Sequence, residues 1–400
     1  MQKLSLSDIP VKDKKILLRV DFNVPLNEQG KITDDSRIKA SLPSIKYVMD
    51  HGGALILMSH LGRPKDKKIN SLSLKPCAER LEQLLNRKVT LAPDAVGSEV
   101  QKIVSAIKPG EIILLENLRF HRGEEHPDED PFFAKQLASY GDYYVNDAFG
   151  TAHRAHASTA TIASFFPGKA AAGFLLEKEI DFLGRVLLNP KRPFCALIGG
   201  AKISTKCGVI EALMKKADVV MIGGGMAYTF LKAQGINIGK SICEDEFIPK
   251  ARELLAISGK KCARLLLPKD LVVAESIREG GSFHVVEAAK GIPDALQGVD
   301  IGPETVNAFA RELKKATTFF WNGPVGVFEV PSFAKGTNAI AHLIPQLTAT
   351  TIVGGGDSIA AIEAAGVRDK VSHLSTGGGA SLEYIELGTL PGIEVLTNKN

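Results

Sequence analysis

Arginine, histidine and acidic or amide side chains follow the predicted strands in the first half of the chain. The apolar runs there end at Leu18, Met58, Leu115 and Val145. The polar side chains close behind these runs or in the intervening loops are Asp21, Asn23, Arg37, His60, Arg63, Arg119 and Arg154. Ligands of open α/β sheets bind beyond the carboxyl ends of strands, so these side chains are expected on one rim. Guanidinium groups there suit a small polyanion; the alternative is that they are ordinary solvated surface arginines.

Glycines take the same positions in the second half. The runs 196–198, 219–222 and 351–353 lead into Gly199-Gly200, 223–225 and 354–356. Backbone amides of glycine loops, at helix N-termini above all, bind phosphate groups. The glycine loops therefore predict a nucleotide-phosphate site in this half. The chain would then bind two different anions, a small polyanion in the first half and a nucleotide in the second.

Two lysines follow the first glycine pair. Lys202 and Lys206 are four residues apart, and a helix beginning at the glycines would place them on one face. Their ammonium groups could then neutralise a phosphoryl group in transfer. The alternative is two solvated lysines on a surface helix.

Asp357 directly follows the glycines 354–356, with Ser358 next and a predicted helix over 359–365. The carboxylate is placed either to cap that helix or to ligate a magnesium ion carried by a nucleotide. Both alternatives stay open at this point. The loop 377–379 repeats the pattern of glycines ahead of a helix.

Three other kinds of site are disfavoured by their spacing. The stretch 235–241 resembles a P-loop but has three residues between its glycines where four are required. No strand end supplies Gly-x-Gly-x-x-Gly, which weakens a nicotinamide-dinucleotide site. His153 and His156 have no acidic or cysteine partner at a metal-ligand spacing, so anion binding is favoured there over metal binding.

Composition excludes several classes of protein. A net charge of +4, from 49 basic and 45 acidic residues, is too slight for a nucleic-acid surface. No apolar segment reaches transmembrane length, so no membrane partner is expected. The 5 cysteines are scattered without Cys-x-x-Cys spacing, which favours a reducing cytoplasm.

Short apolar runs alternate with segments of helical period, as in βαβ units. The 400 residues exceed what one core usually spans. We therefore predict an α/β chain of two Rossmann-like domains, each a mostly parallel sheet covered by helices, joined by a helix across a cleft. The predicted boundaries are 1–174 for the first domain, 175–190 for the connecting helix and 191–388 for the second domain. The tail 389–400 is expected to return toward the first.

Several motifs together resemble the phosphoglycerate kinase family over essentially the whole chain. In the first half they are 19–25 (RVDFNVP), 59–64 (SHLGRP), 115–120 (LENLRF) and 147–158 (DAFGTAHRAHAS). In the second half they are 199–202 (GGAK), 321–329 (WNGPVGVFE), 354–358 (GGGDS) and 375–381 (STGGGAS).

The resemblance implies reversible phosphoryl transfer from 1,3-bisphosphoglycerate to MgADP, giving 3-phosphoglycerate and MgATP in glycolysis. It implies that one group of residues holds the glycerate substrate: Asp21, Asn23, Arg37, His60, Arg63, Arg119 and Arg154. A second group would hold the nucleotide: Lys206, Asn322, Glu329 on the ribose, Gly354, Gly355, Gly356, Asp357 on Mg²⁺, and Ser358, where the family commonly has threonine. Lys202 and Arg37 would flank the phosphoryl group in flight, and a monomer is implied. A nicotinamide-linked dehydrogenase and a catalytically idle nucleotide-binding or interaction protein are the alternatives.

Overall fold

Two compact units make up the chain. The structure is a computed structural model that describes residues 2–260 and 262–399, with the backbone alone for 185–188. Unit 1 runs to Asp181 and includes the segment from Thr389 onward, whereas unit 2 is Phe182–Gly388. Among the described residues, no helix is both long and apolar enough to cross a membrane.

Unit 1 is built on one parallel sheet. Its strands are β1 (Lys15–Arg19), β2 (Ala54–Met58), β3 (Thr90–Leu91), β4 (Ile112–Leu114), β5 (Tyr143–Asn146) and β6 (Ala170–Ala172). They lie in the order β3-β4-β2-β1-β5-β6, and every pairing is parallel. All five residues of β2 are buried, as expected for a strand covered by helices on both faces.

Helices flank this sheet. They are α1 (Ser36–Asp50), α2 (Lys75–Leu85), α3 (Ser98–Ser105), α4 (Arg122–Glu125), α5 (Pro131–Ala138) and, near the end of the chain, α14 (Pro391–Glu394). The core packs the inward faces of α1 and α2 against β1 and β2, with Ile38, Val48 and Leu81 fully buried. The terminal segment contributes as well, since the Asn146 side chain donates to the Gly392 carbonyl oxygen over 3.0 Å.

Unit 2 contains a second parallel sheet, which confirms the predicted fold class. Its strands are β7 (Phe194–Ile198), β8 (Val219–Ile222), β9 (Arg264–Leu266), β13 (Thr318–Asn322), β14 (Thr350–Gly354) and β15 (His373–Ser375), in the order β15-β14-β13-β7-β8-β9. Its helices are α7 (Cys207–Lys216), α8 (Met226–Ala233), α9 (Ile248–Ile257), α10 (Pro303–Leu313), α11 (Lys335–Leu343), α12 (Gly356–Ala364) and α13 (Gly379–Leu387).

An antiparallel sheet in unit 2 was not predicted. It consists of β10 (Asp270–Ala274), β11 (Phe283–Glu287) and β12 (Gln297–Ile301), in the order β11-β10-β12. The edge strand β11 leaves both Phe283 and Val285 exposed. Only Val286 of this strand is partly buried. The strand therefore lacks the alternation of apolar and polar residues that marks a strand in a sequence.

The helical period over 174–188 predicts a single helix, and α6 (Phe174–Leu188) has those bounds. Its first turn is held by Asp147, whose Oδ1 accepts from the backbone N–H groups of Leu175 and Leu176 over 2.8 and 3.1 Å. Gly173 precedes the helix, and any side chain there would collide with the Asp147 carboxylate. Asp147 is fully buried, and this burial raises its pKa to about 6.

We predict that Asp147→Asn makes the protein less sensitive to pH. A raised carboxyl pKa means that the wild-type side chain adds most stability below about pH 4, and that this contribution is lost as pH rises through about 6. The amide cannot ionise, so the variant should gain roughly 2 to 3 kcal/mol relative to wild type between about pH 4 and pH 7.

Denaturant unfolding of both proteins at the two pH values measures this change. Asp128→Asn, at an exposed carboxylate, is the control and should show no such trend. Parallel stability curves for wild type and Asp147→Asn would contradict the prediction.

Candidate functional site

Basic side chains gather at the carboxyl ends of the strands in unit 1. Arg19 is the last residue of β1, His60 follows β2, and Arg119 lies in a short turn after β4. Because parallel strands end at the same edge of a sheet, these side chains meet. We call the group the basic cluster; its members are Arg19, Arg37, His60, Arg119, Arg154 and His156.

Histidine pKa values show how closely these charges lie. Burial lowers the pKa of His60 well below its usual value, and the guanidinium groups of Arg19, Arg119 and Arg37 lower it further. Burial, followed by Arg119, Arg19 and Arg154, lowers the pKa of His156 to about 3. Both imidazoles are therefore neutral near pH 7, and the arginines carry the positive charge of the cluster.

Four of the predicted residues are joined by direct contacts. Arg37 forms an ion pair with Asp21 Oδ2. Asp21 Oδ1 accepts from the Asn23 backbone N–H over 3.2 Å and lies 4.0 Å from His60 Nδ1. Asn23 Oδ1 in turn accepts from the Gly62 N–H over 2.9 Å. The loops after β1 and β2 are thereby fixed to each other.

Arg63 lies beside the cluster, whereas Arg154 belongs to it. Arg63 is exposed and is attached through Gly62, whose carbonyl oxygen accepts from Arg119 over 2.9 Å. Arg154 is half-buried in the loop after β5, and its carbonyl oxygen accepts from the Thr159 hydroxyl over 2.7 Å. All seven residues predicted for this half lie in the loops or first helical turn beyond these strands.

Asn117 positions the cluster, and the sequence analysis did not select it as a site residue. Its amide is fully buried; Nδ2 donates to the carbonyl oxygens of Leu61 and Leu72 over 2.8 Å each. Its Oδ1 accepts from the backbone N–H groups of Leu61 and Arg119. With its hydrogen bonds satisfied, this side chain sets the path of the loop that carries Arg63.

A carboxylate also lies within the cluster. Glu125 Oε1 is 3.3 Å from Arg119 Nε, an ion-pair distance without hydrogen-bond alignment. The same oxygen is 4.0 Å from His156 Nε2. Glu125 therefore neutralises part of a charge that an anionic ligand would otherwise meet.

Unit 2 contains a cavity of about 230 Å³ at the carboxyl ends of β13 and β14. The N-termini of α12 and α13 open onto it. Its lining residues are Lys206, Asn322, Gly323, Gly355, Gly356, Asp357, Ser358, Gly378, Gly379 and Leu382. We call it the phosphate cavity, because an ammonium group and two helix N-termini together favour a phosphate.

Lys206 and Asn322 provide the main side-chain donors of this cavity. Lys206 Nζ donates to the Gly199 carbonyl oxygen and to Asn322 Oδ1 over 2.7 Å each. Asn322 Nδ2 is buried and has no hydrogen-bond partner within the described part of the chain. Burial lowers the pKa of Lys206 to about 8, against an opposing effect of Asp357. Asn322 Nδ2, which has no partner among the described residues, is therefore available to donate to a ligand.

The predicted common helical face of Lys202 and Lys206 is wrong. Helix α7 begins only at Cys207, Lys206 is its N-cap residue, and Lys202 lies exposed in the preceding loop. Gly200 adopts φ +105°, which directs the chain away from a helix at that point. Glu244 then holds the loop, since its carboxylate accepts from the Ser204 N–H and hydroxyl over 3.0 and 2.6 Å.

The structure excludes one of the two alternatives for Asp357, the helix cap. Gly355, with φ +92°, is the N-cap of α12, and the helix has no side-chain cap. Asp357 lies exposed in the first turn, so the capping alternative is wrong. Ser358 is buried, and its hydroxyl oxygen accepts from the Gly323 N–H over 2.6 Å.

Two of the residues predicted for the nucleotide, Gly354 and Glu329, do not line the phosphate cavity. Gly354 is the buried last residue of β14, and Glu329 lies exposed in the loop between β13 and α11. In the described residues there is also no group of three or more His, Cys, Asp or Glu side chains able to hold a metal ion.

Comparisons with known proteins agree with this geometry. The family model described as phosphoglycerate kinase matches residues 6–387. The chain belongs to the phosphoglycerate kinase family. It is therefore a kinase, a phosphotransferase, and its family catalyses the ATP-generating phosphoryl transfer of glycolysis, which excludes the dehydrogenase alternative.

Relatives and solved structures match along their full lengths. Phosphoglycerate kinase of Moorella thermoacetica is 54% identical over 399 residues, covering 100% of both chains, and that of Chlorobium phaeobacteroides is 53% identical over 401 residues with the same coverage. The structure of phosphoglycerate kinase from Coxiella burnetii has a TM-score of 0.89 at 40% identity, and that from Pyrococcus horikoshii 0.84 at 32%. Each alignment covers 98% of both chains. The resemblance found in the motifs is confirmed.

We predict that Glu125→Gln strengthens anion binding to the basic cluster. Removing the carboxylate frees Arg119 for the ligand, so the dissociation constant of inorganic phosphate should fall about threefold to tenfold. Titration calorimetry at fixed ionic strength measures the change. Glu129→Gln is the control, because Glu129 pairs with Arg122 and His126, outside the cluster. Equal phosphate affinity in wild type and Glu125→Gln would show that the carboxylate does not compete with the ligand.

Proposed function

We propose that the basic cluster of unit 1 binds the glycerate substrate, and that the phosphate cavity of unit 2 binds the nucleotide. The reaction is reversible transfer of the acyl phosphate of 1,3-bisphosphoglycerate to MgADP, giving 3-phosphoglycerate and MgATP. The observation that carries this assignment is the difference between the two anion sites: guanidinium groups in one unit, backbone amides and one half-buried lysine in the other.

The glycerate ligand carries a carboxyl group, a hydroxyl group and a phosphate. Arg63, Arg119 and Arg154 have the charge and the forked geometry to bind its phosphate or carboxylate oxygens. Asp21 and Asn23 supply acceptor oxygens suited to the hydroxyl. His60, being neutral, binds through an N–H donor and not through a full charge.

Nucleotide binding is assigned to the loop Gly354–Ser358 together with Lys206 and Asn322. The free Nδ2 donor of Asn322 lies beside Gly355, since a Cβ added to that glycine would lie 3.2 Å from Nδ2. A side chain there would take the space of a phosphate oxygen, which accounts for the glycine. Lys206 remains largely protonated at neutral pH with a pKa of about 8. Glu329 is assigned to the ribose.

The residues of the cavity fit a magnesium ion that arrives with the nucleotide. Asp357 is exposed at the cavity wall, and it is the only carboxylate among the residues that line it. Mg²⁺ prefers octahedral oxygen ligands, retains waters and is often held by one or two carboxylates plus substrate phosphates. Bound there, the ion would neutralise charge on the nucleotide phosphates.

The chemistry requires position and charge neutralisation more than a protein nucleophile. A β-phosphate oxygen of ADP attacks the acyl phosphorus, and the bond from phosphorus to the C1 carboxyl oxygen breaks, releasing 3-phosphoglycerate. An acyl phosphate is already activated, so no general base is needed. Arg37 and Lys202 would stabilise the charge of the phosphoryl group in transfer.

The two ligands must meet with water excluded, so we propose that the units close around them before transfer. We also propose that the protein is a monomer and lies in the cytoplasm. A coupled assay that follows ATP formation from 1,3-bisphosphoglycerate tests the function. Absence of turnover with intact MgADP binding would favour the idle nucleotide-binding alternative.

We predict that Arg37→Ala and Lys202→Ala each lower kcat while leaving MgADP affinity within about twofold. Both charges would act mainly when the phosphoryl group carries its transition-state charge, so losing either should cost about two to four orders of magnitude in rate. Steady-state kinetics with titration calorimetry of MgADP measures both quantities. Lys240→Ala, an exposed lysine outside the cavity, is the control. Turnover near that of wild type would remove the substituted residue from the transferring site.

We predict that Asp357→Asn weakens MgADP binding more than binding of metal-free ADP. The amide keeps the shape of the side chain but is a much poorer ligand for Mg²⁺, so the loss should be about tenfold with magnesium and small without it. Calorimetric titration of ADP with magnesium, and with a chelator present, separates the two. An equal loss under both conditions would mean that Asp357 does not act through the metal.

A further inference from the structure

A chain of buried side chains lies behind His60. Arg19, which ends β1, is only 1% exposed, and each nitrogen of its guanidinium group makes a hydrogen-bonding contact. Nε donates to the Ser158 hydroxyl oxygen over 2.7 Å, NH1 donates to the Val20 carbonyl oxygen, and NH2 lies 3.2 Å from His60 Nδ1. Arg19 was not among the residues assigned to the substrate, and its contacts fix it within the protein.

The contact between Arg19 and His60 determines the protonation of the imidazole. A guanidinium group has donors and no acceptor, so His60 Nδ1 must be the acceptor. A neutral imidazole that accepts at Nδ1 carries its proton on Nε2. The remaining charged and titratable groups that face His60 are Arg37, Arg119, His156 and, at 4.0 Å, Asp21. Three of these four disfavour an imidazolium ion.

Glu124 completes the chain from the other side. It is fully buried in α4, and Oε1 accepts from the Ser158 hydroxyl over 2.6 Å while Oε2 accepts from the Ser158 backbone N–H over 3.0 Å. Oε1 also lies 3.8 Å from Arg19 NH2. Ser158 therefore accepts from Arg19 and donates to Glu124, and the backbone carbonyl of Ser158 accepts from the Tyr144 hydroxyl over 2.8 Å.

We propose that Glu124, through Ser158 and Arg19, is a positioning residue that holds His60 as the neutral Nε2–H tautomer for glycerate binding. A buried guanidinium group needs a counter-charge, and Glu124 is the carboxylate paired with Arg19. Without it, Arg19 loses the partner that fixes its orientation, and Nδ1 of His60 loses its fixed donor. The substrate part of this proposal depends on the proposed role of His60; the tautomer does not.

Two variants test this proposal. Glu124→Gln keeps the size of the side chain and removes its charge, and Ser158→Ala removes the hydroxyl group that links Glu124 to Arg19. NMR of protein labelled with ¹⁵N-histidine reports the tautomer of His60 in the free enzyme, with the resonance assigned by its loss in His60→Asn. The wild type should show the Nε2–H form from about pH 6 to about pH 8. Both variants should show a mixture of tautomers.

Kinetics then tests the consequence for the substrate. Each variant should raise KM for 3-phosphoglycerate about tenfold, with less than about a twofold change in kcat and in MgATP binding, as expected for lost ground-state binding. Glu129→Gln, on the same segment but exposed and away from Arg19, is the control with wild-type values. If Glu124→Gln does not fold, the tautomer of His60 and the KM for 3-phosphoglycerate in Ser158→Ala test the proposal.

An Nδ1–H or protonated His60 in the wild type would overturn the proposal, and so would an unchanged tautomer in both variants. An unchanged KM in His60→Asn would instead remove His60 from the substrate site. That result contradicts the proposed role of His60, while the NMR comparison still decides whether Glu124 fixes its tautomer.

Discussion

Repulsion among buried positive charges is the constraint on which unit 1 depends. Arg19 and Arg119 are almost fully buried, and Arg119 lies within reach of Arg19 and Arg154. Both Arg19 and Arg119 also lie near His60, as Arg37 does. Bringing such charges out of water is costly unless each has a partner. The fold supplies carboxylates for this purpose: Asp21 for Arg37, Glu124 for Arg19 and Glu125 for Arg119. The histidines among them remain neutral.

The pairing also suggests how the basic cluster would release the proposed glycerate ligand. Glu124 is inaccessible and so is a permanent partner, whereas Glu125 is partly exposed and can exchange with an incoming anion. In unit 2 the repulsion between positive charges is weaker, because backbone amides provide most of the positive potential without a net charge. Lys206 Nζ is held there among oxygen atoms, and Gly323 must lack a side chain because a Cβ would lie 2.3 Å from the Gly199 carbonyl oxygen.

The sequence predicted those features that depend on period and order along the chain. Spacing along the sequence predicted the fully apolar strands and the helix from Phe174 to Leu188. It also predicted that the residues after the strands lie near one another, because parallel strands place their carboxyl ends together. The motifs were specific enough to identify the family.

Features that depend on contacts between distant segments could not be predicted. Asn117, Glu124 and Glu125 contact partners that lie elsewhere in the chain. The residue types themselves are ones that surface loops commonly contain. The loop at Lys202 was assigned to a helix because its spacing fits one, whereas Gly200 and Glu244 hold it in another conformation. The edge strand Phe283–Glu287 has one partly buried residue, Val286, and therefore gave no periodic signal.

The central claim is that the phosphoryl group passes directly between the two substrates while protein charges only position and stabilise it. The stereochemistry of transfer tests this most directly, using 1,3-bisphosphoglycerate whose acyl phosphate is chiral through oxygen isotopes. One in-line displacement predicts inversion of configuration at phosphorus in the ATP formed. Retention would indicate two displacements through a phosphorylated side chain, such as Asp357 or Ser358 in the phosphate cavity, and would contradict the account.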